Sequence, residues 1–158
     1  PNSYRRLVPG FEAPIKAIFS VANRSAAIRI PKYATAPQAV RMEFRPPDAT
    51  GNAYLSMAAM LMAGLAGIQA GIDPTEAGFG PIYDNIFDWS EERRATIKSL
   101  PTSVEAAMSA LENGAAFLTE HGIFDETLIR TWVNAKRKEA NQVNQRPSPF
   151  EIENYYDC

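Results

Sequence analysis

Between Tyr54 and Ile68 the chain carries no charged side chain and is apolar on nearly every face that a helix would present. A helix without a polar face belongs in an interior, so this stretch demands that something fold around it. Its most apolar run, "MAAMLMAGLAGI" (Met57–Ile68), is too short to span a bilayer and is interrupted by small residues. A buried core helix is the prediction. With 158 residues, 46% of them hydrophobic and 22% charged, the chain can build a core of one domain or most of one.

The sequence predicts an α+β fold with antiparallel β-strands and a helical C-terminal half. Residues 1–46 are β-rich: "IKAIFSV" (Ile15–Val21) and "AAIRIP" (Ala26–Pro31) are strand-like runs joined by the turn-forming "ANRS". A third strand, "VRMEFRP" (Val40–Pro46), follows a Pro- and Ala-containing connection. Residues 47–145 have helical character. Thr102 and Glu105 stand in capping-box spacing before an apolar stripe of Val104, Met108, Leu111, Ala115 and Leu118 that should stop at Gly122. A last helix should run from Asp125, with Lys136, Arg137 and Lys138 near its end as the helix dipole prefers. Residues 71–101 form a long Gly-, Pro- and aromatic-rich connector, of a kind that is usually functional or interface-forming. The tail, 146–158, reads as extended.

The formal net charge of −2 argues against a nucleic-acid-binding surface. A single cysteine, Cys158, leaves no internal disulfide framework and fits a reducing compartment; a single histidine, His121, leaves no multi-histidine metal site. The opening "PNSYRRLVPG" has no basic-then-apolar leader. That opening, without an initiator methionine, suggests a piece of a longer protein.

Four places carry candidate chemistry. In "RRLVPGFEAP", Pro9-Gly10 is a turn dipeptide that puts Glu12 on a loop tip, either a lid over a site or a solvated surface hairpin. In "NRSAAIRIP", Arg24 and Arg29 are five apart, so one uninterrupted strand would point them to opposite faces; either Arg24 belongs to the turn or a bulge re-aims one of them. Arginine's planar fork suits carboxylate and phosphate. In the third strand, Arg41, Glu43 and Arg45 alternate with Met42 and Phe44, which places the charges on one face and an apolar pair, suited to anchoring a core, on the other. The charged row could be cross-strand pairs at a surface, or a divalent-ion ligand flanked by anion-binding groups. The tail "FEIENYY" could be an interaction strand or a frayed end.

Together these segments resemble glutamine synthetase of the bacterial type I class. The likeness lies in "NSYRRLVPGFEAP", "NRSAAIRIP", "RMEFRPPD…NAYL…AAMLMAGLAGI" and "RPSPFEIENYYDC", in order and in register along the whole chain, which looks like the last third of such an enzyme, within its catalytic domain. The resemblance implies ATP-dependent ligation of ammonia to glutamate through γ-glutamyl phosphate. It implies that Arg6 holds glutamate and that Glu12 is a flap carboxylate that shields the intermediate and takes a proton from ammonium. Arg24 would contact the transferring phosphoryl group and glutamate, Arg29 the ATP phosphates, and Arg41 the nucleotide side. Glu43 would ligate a Mg²⁺ or Mn²⁺ ion and Arg45 grip the glutamate carboxylate. It further implies a cytoplasmic homo-oligomer, a dodecamer of two hexameric rings, with Phe150, Ile152, Tyr155 and Tyr156 of the tail reaching a subunit of the opposite ring, and no nucleic-acid or membrane partner.

The chain departs from the family's pattern at Gln38, where a lysine is common before the charged strand. It also departs at Phe87, in "NIFDW", where some members carry a tyrosine that is adenylylated; Tyr83 lies nearby in "IYDN". With one metal carboxylate of its own, this segment alone is expected to be inert. Two other readings share most of these motifs: a relative that joins glutamate to methylamine or a polyamine, and a non-catalytic assembly or regulatory relative.

Overall fold

A computed structural model describes residues 2–7, 13–21 and 23–157. The chain divides into two compact units, Asn2–Thr102 and Ser103–Cys158. The first is built on a three-stranded sheet: β1 (Lys16–Val21), β2 (Ala26–Ile30) and β3 (Glu43–Phe44), in the order β1-β2-β3. It also contains the short helix α1 (Asn2–Arg5), the long helix α2 (Ala53–Gln69) and the short helix α3 (Glu91–Ala95).

The α+β class is borne out, but the sheet is mixed rather than antiparallel throughout. β2 and β3 are antiparallel, pairing Ile28 with Phe44 and Arg29 with Glu43. β1 and β2 are parallel, with Phe19 beside Ile28, Ser20 beside Arg29 and Val21 beside Ile30. The physical reason lies in the connection, which is tied to another segment instead of closing a hairpin. The Asn23 amide donates to the carbonyls of Ile82 (3.4 Å) and Asp84 (2.9 Å). Its side-chain oxygen accepts from the Ser25 N–H (2.9 Å) and hydroxyl (2.7 Å).

The connector 71–101 is structural. Residues from it bond along β1: the Phe19 N–H donates to Phe79 O (2.8 Å), the Ala17 N–H to Lys98 O (2.9 Å) and the Leu100 N–H to Ile15 O (2.8 Å). The buried Ser20 hydroxyl donates to the Ile82 carbonyl. Ile86 and Ile97, both from the connector, join Ile18 and Ala26 in the core, with Ile82, Phe87 and Trp89 packed against them. The Lys16 ammonium donates to the carbonyls of Arg94 and Ile97 (3.2 Å each) and to the Ser99 hydroxyl (2.9 Å), satisfying groups at the end of α3. The segment lacks helical or strand periodicity because its apolar residues are spent one at a time against β1. At Gly80, with φ +129°, an added Cβ would collide with the Phe19 carbonyl oxygen, so only glycine lets the connector approach the strand this closely.

α2 forms where its composition predicts, capped by the Asn52 side chain, which accepts from the Leu55 N–H. Its expected burial is not found. Met62 is its one fully buried residue, while Tyr54 (85%), Leu61 (65%) and Ile68 (78%) are largely exposed. The same correction applies to the third strand: Met42 (75%) and Phe44 (48%) are exposed and do not anchor a core. Composition states that these faces are apolar; it cannot supply the layer that covers them, and the described residues supply none.

The second unit contains α4 (Val104–Gly114), α5 (Ala116–Thr119), α6 (Glu126–Asn144) and α7 (Pro149–Tyr155). α4 and α6 pack together and bury Val104, Met108 and Val133. The α4 cap is Ser103, not Thr102: Ser103 has extended φ/ψ and its hydroxyl accepts from the Ala106 N–H. Glu105 is therefore free of capping duty and turns to Arg137, whose guanidinium grips Glu105 (2.8 Å) and Glu112 (2.8 Å). The charge at Arg137 thus joins two helices instead of serving a dipole, and α6 continues beyond it to Asn144. The helical stripe also breaks earlier than Gly122, at Ala115, though Leu118 beyond the break is still buried. The tail is helical rather than extended. Ser148 and Glu151 form a reciprocal capping box at α7, with Pro149 in the first turn.

Two substitutions test this packing. Gly80→Ala should lower folding stability by about 2–4 kcal/mol, because backbone must shift at a left-handed position. Val133→Ala should cost about 2 kcal/mol through lost burial and the cavity left behind. Urea denaturation of each variant measures both; a near-neutral Gly80→Ala would mean that the connector does not press on β1.

Candidate active site

The antiparallel register between β2 and β3 sets Arg29 directly opposite Glu43. The Arg29 guanidinium binds one carboxylate oxygen through two nitrogens, Nε at 2.9 Å and Nη2 at 2.7 Å, both on Oε2. The other oxygen, Oε1, has a long contact of 3.5 Å with Arg41 Nη2. Both members of the Arg29–Glu43 pair are about three-quarters buried. Desolvation offsets much of the attraction in a pair this buried, so its main effect is to fix where the charges stand.

Arg41 is held by more than Glu43. Its Nη2 donates to the Tyr33 hydroxyl at 2.7 Å, and its guanidinium carbon lies 5.4 Å from the Tyr33 ring centroid. Tyr33 is missing from the residues that the sequence pattern singles out. The signal available was an aromatic residue in the short connection between two charged strands.

Arg45 follows β3. Its N–H donates to Ala27 O (2.9 Å) and its Nη1 to Ala26 O (3.3 Å), so it lies along β2. Arg6 reaches the same region from α1, donating to the carbonyls of Arg45 (2.9 Å), Pro47 (3.1 Å) and Pro46 (3.4 Å). In this state Arg6 clamps backbone. Arg24 occupies the exposed turn before β2, which settles the spacing question: it belongs to the turn. Glu12 lies outside the described residues. Arg29, Arg41 and Glu43 therefore meet directly, and Arg45 and Arg6 are tied to the same pair of strands. Gln38 sits exposed in a single 3-10 turn, Pro37–Ala39, between Tyr33 and Arg41. Phe87, which has no hydroxyl, packs against the core, while Tyr83 is exposed.

Among the described residues no three His, Cys, Asp or Glu side chains gather as a metal site would require. Glu43 suits a shared site: Arg29 orients the carboxylate through Oε2, and Oε1 remains as a hard oxygen donor. No described helix is long and apolar enough to cross a membrane.

The chain matches the family described as glutamine synthetase, catalytic domain, over residues 1–155. It belongs to that family. It is 51% identical to the glutamine synthetase of Microchaete diplosiphon over 99% of this chain and 33% of that protein. It is 46% identical to that of Mycolicibacterium smegmatis over 99% of this chain and 32% of that protein. Among solved structures it is similar to the cryoEM structure of Plasmodium falciparum glutamine synthetase, with a TM-score of 0.79 and 28% identity, covering 98% of this chain and 37% of that one. The chain thus spans about a third of the length of the curated relatives it matches.

Asp48, just beyond the charged strand, explains how this corner of the glutamine synthetase domain is held. Its carboxylate accepts from the Thr50 N–H (2.8 Å) and hydroxyl (3.0 Å). Those bonds, a hydrogen bond from the Ser3 side chain and the nearby Arg6 charge lower its pKa from 3.8 to about 2. A carboxylate with a depressed folded pKa stabilises the fold fully above its unfolded value, and that support disappears as pH falls through the folded value. Stability should therefore fall between about pH 4 and pH 2, and Asp48→Asn should flatten that part of the profile. Acid titration of the unfolding midpoint checks this; an equally steep decline in the variant would exclude Asp48 as the source.

Proposed function

We propose that this chain is part of an ATP-dependent glutamate–ammonia ligase. Within the full-length enzyme, the glutamate side-chain carboxylate takes the γ-phosphoryl group of ATP to give γ-glutamyl phosphate and ADP. Ammonia then attacks the acyl carbon, and inorganic phosphate leaves as glutamine forms. The observation that carries the reading is the Arg29–Glu43–Arg41 row, a carboxylate flanked by two guanidinium groups across paired strands.

Phosphoryl transfer is catalysed chiefly by positioning and by neutralising charge. Arg29 on β2 and Arg41, two residues before β3, would bind the ATP phosphates. Arg24, on the turn into β2, would contact the phosphoryl group in flight and the glutamate. Arg45, aligned along β2, would hold the glutamate carboxylate. Arg6, now on the backbone of 45–47, would take part in holding glutamate by exchanging a carbonyl acceptor for a carboxylate. Glu43 Oε1 would hold a Mg²⁺ or Mn²⁺ ion together with ligands from elsewhere in the enzyme; such an ion, when bound, neutralises phosphate charge. Glu12 would remove a proton from ammonium, since only free ammonia has the lone pair to attack, and its loop would exclude water from the intermediate.

The exposure of Phe150, Ile152, Tyr155 and Tyr156 on and after α7 supports the tail as an anchor between subunits. We place the enzyme in the cytoplasm as a homo-oligomer, a dodecamer of two six-membered rings.

Full-length enzyme tests this reading. Glu12→Ala should lose glutamine synthesis while still binding ATP, and Glu43→Gln should lower turnover by about 10²-fold or more. Unchanged glutamine output from Glu12→Ala would remove it from the mechanism. Ammonia should be used in strong preference to methylamine and polyamines; the reverse preference would reassign the acceptor.

A further inference from the structure

One nitrogen of Arg41, Nη2, faces two acceptors at unequal distances. Nη2 lies 2.7 Å from the Tyr33 hydroxyl and 3.5 Å from Glu43 Oε1. The first is a short hydrogen bond and the second is at the limit of one. The guanidinium also lies within cation–π range of the Tyr33 ring, at 5.4 Å. The connection bearing Tyr33 is stiffened by turns: the Ala34 N–H bonds Pro31 O (3.2 Å), and the Ala39 and Val40 N–H groups bond Ala36 O (2.8 and 3.2 Å). Pro31 and Pro37 restrict it further. Tyr33 thus stands on a turn-rich connection, largely exposed at 70%, beside a half-exposed arginine.

We propose that Tyr33 is a positioning residue for Arg41, one that holds the guanidinium off Glu43 Oε1 and presents it outward to a polyphosphate ligand. The consequence is twofold. Without Tyr33, Arg41 would move closer to Oε1 and tighten the long 3.5 Å ion pair it makes there, while Arg29 holds Oε2. The carboxylate would then be held tightly from both sides, and Oε1 would be less available as a donor. Arg41 would at the same time be withdrawn from phosphate. One hydroxyl thereby keeps the Arg41–Glu43 pair long, so that the cation and the anion can each still serve a ligand. The proposal rests on the assignment of Arg41 to the nucleotide side.

The test uses full-length enzyme and three equilibrium readouts: affinity for a non-hydrolysable ATP analogue with Mg²⁺, affinity for Mn²⁺ alone by electron paramagnetic resonance, and affinity for glutamate. Tyr33→Phe should weaken analogue binding by about threefold to tenfold, the scale of one ordinary hydrogen bond, and Tyr33→Leu should weaken it more. Both should weaken Mn²⁺ binding and leave glutamate affinity within about twofold, a difference scarcely above context noise. In an Arg41→Ala background, Tyr33→Phe should have no further effect, because the hydroxyl acts through the arginine. A Tyr33→Phe effect that persists in that background would overturn the proposal, as would parent-like binding in both Tyr33 variants while Arg41→Ala weakens the analogue. Unchanged analogue binding in Arg41→Ala would overturn the nucleotide assignment of Arg41 and this proposal with it.

Discussion

The register between β2 and β3 governs what the charged strand can do. Because side chains alternate faces, slipping the pairing by one residue would set Glu43 against an apolar neighbour and turn its carboxylate away from Arg29. Only two residues of β3 are paired, yet those two put Glu43 opposite Arg29 and Phe44 opposite Ile28. The ion pair across the strands follows from that geometry, and so does the orientation of Glu43, with one oxygen held and the other left to Arg41. Backbone pairing at a few residues thereby controls the electrostatics of a much larger neighbourhood.

β2 can hold this register because it is supported from behind. β1 lies along it, and β1 is itself bonded to the connector at Phe79, Ile82 and Lys98–Leu100. The buried isoleucines of the connector fill the space under the strands. A segment with no periodicity of its own is thus part of the scaffold for the charged row. Its loose pattern reflects its job: it contributes single residues to a strand's edge and core instead of presenting a continuous face.

Arg6 and Asp48 hold one corner of the fold together. Arg6 bonds three successive carbonyls after the charged strand, and Asp48 in the same turn is ionised to unusually low pH by Thr50, Ser3 and Arg6. The segment that carries Arg6 is thereby tied to the segment that carries Arg45, although they are far apart in the chain. In the glutamine synthetase reading both hold the same amino acid, and the clamp brings them into one neighbourhood before any ligand arrives.

Local sequence sufficed for the elements whose stabilisation is local. The uncharged α2 with its Asn52 cap and the Asp125 start of α6 are set by neighbours a few residues away, whereas the third strand forms only at Glu43–Phe44, leaving Arg41 and Arg45 outside it. The motif order was also enough to name the family. Tertiary structure decided the rest: that β1 and β2 run parallel, that the tail's capping box completes a helix, that Arg137 joins two helices, and that Tyr33 holds Arg41. It also decided which apolar faces are covered, leaving most of α2 and the Met42–Phe44 side bare. The physical reason is range. Helix propensity and capping act within one or two turns, whereas burial, strand direction and the choice of ion-pair partner depend on which distant segment arrives alongside.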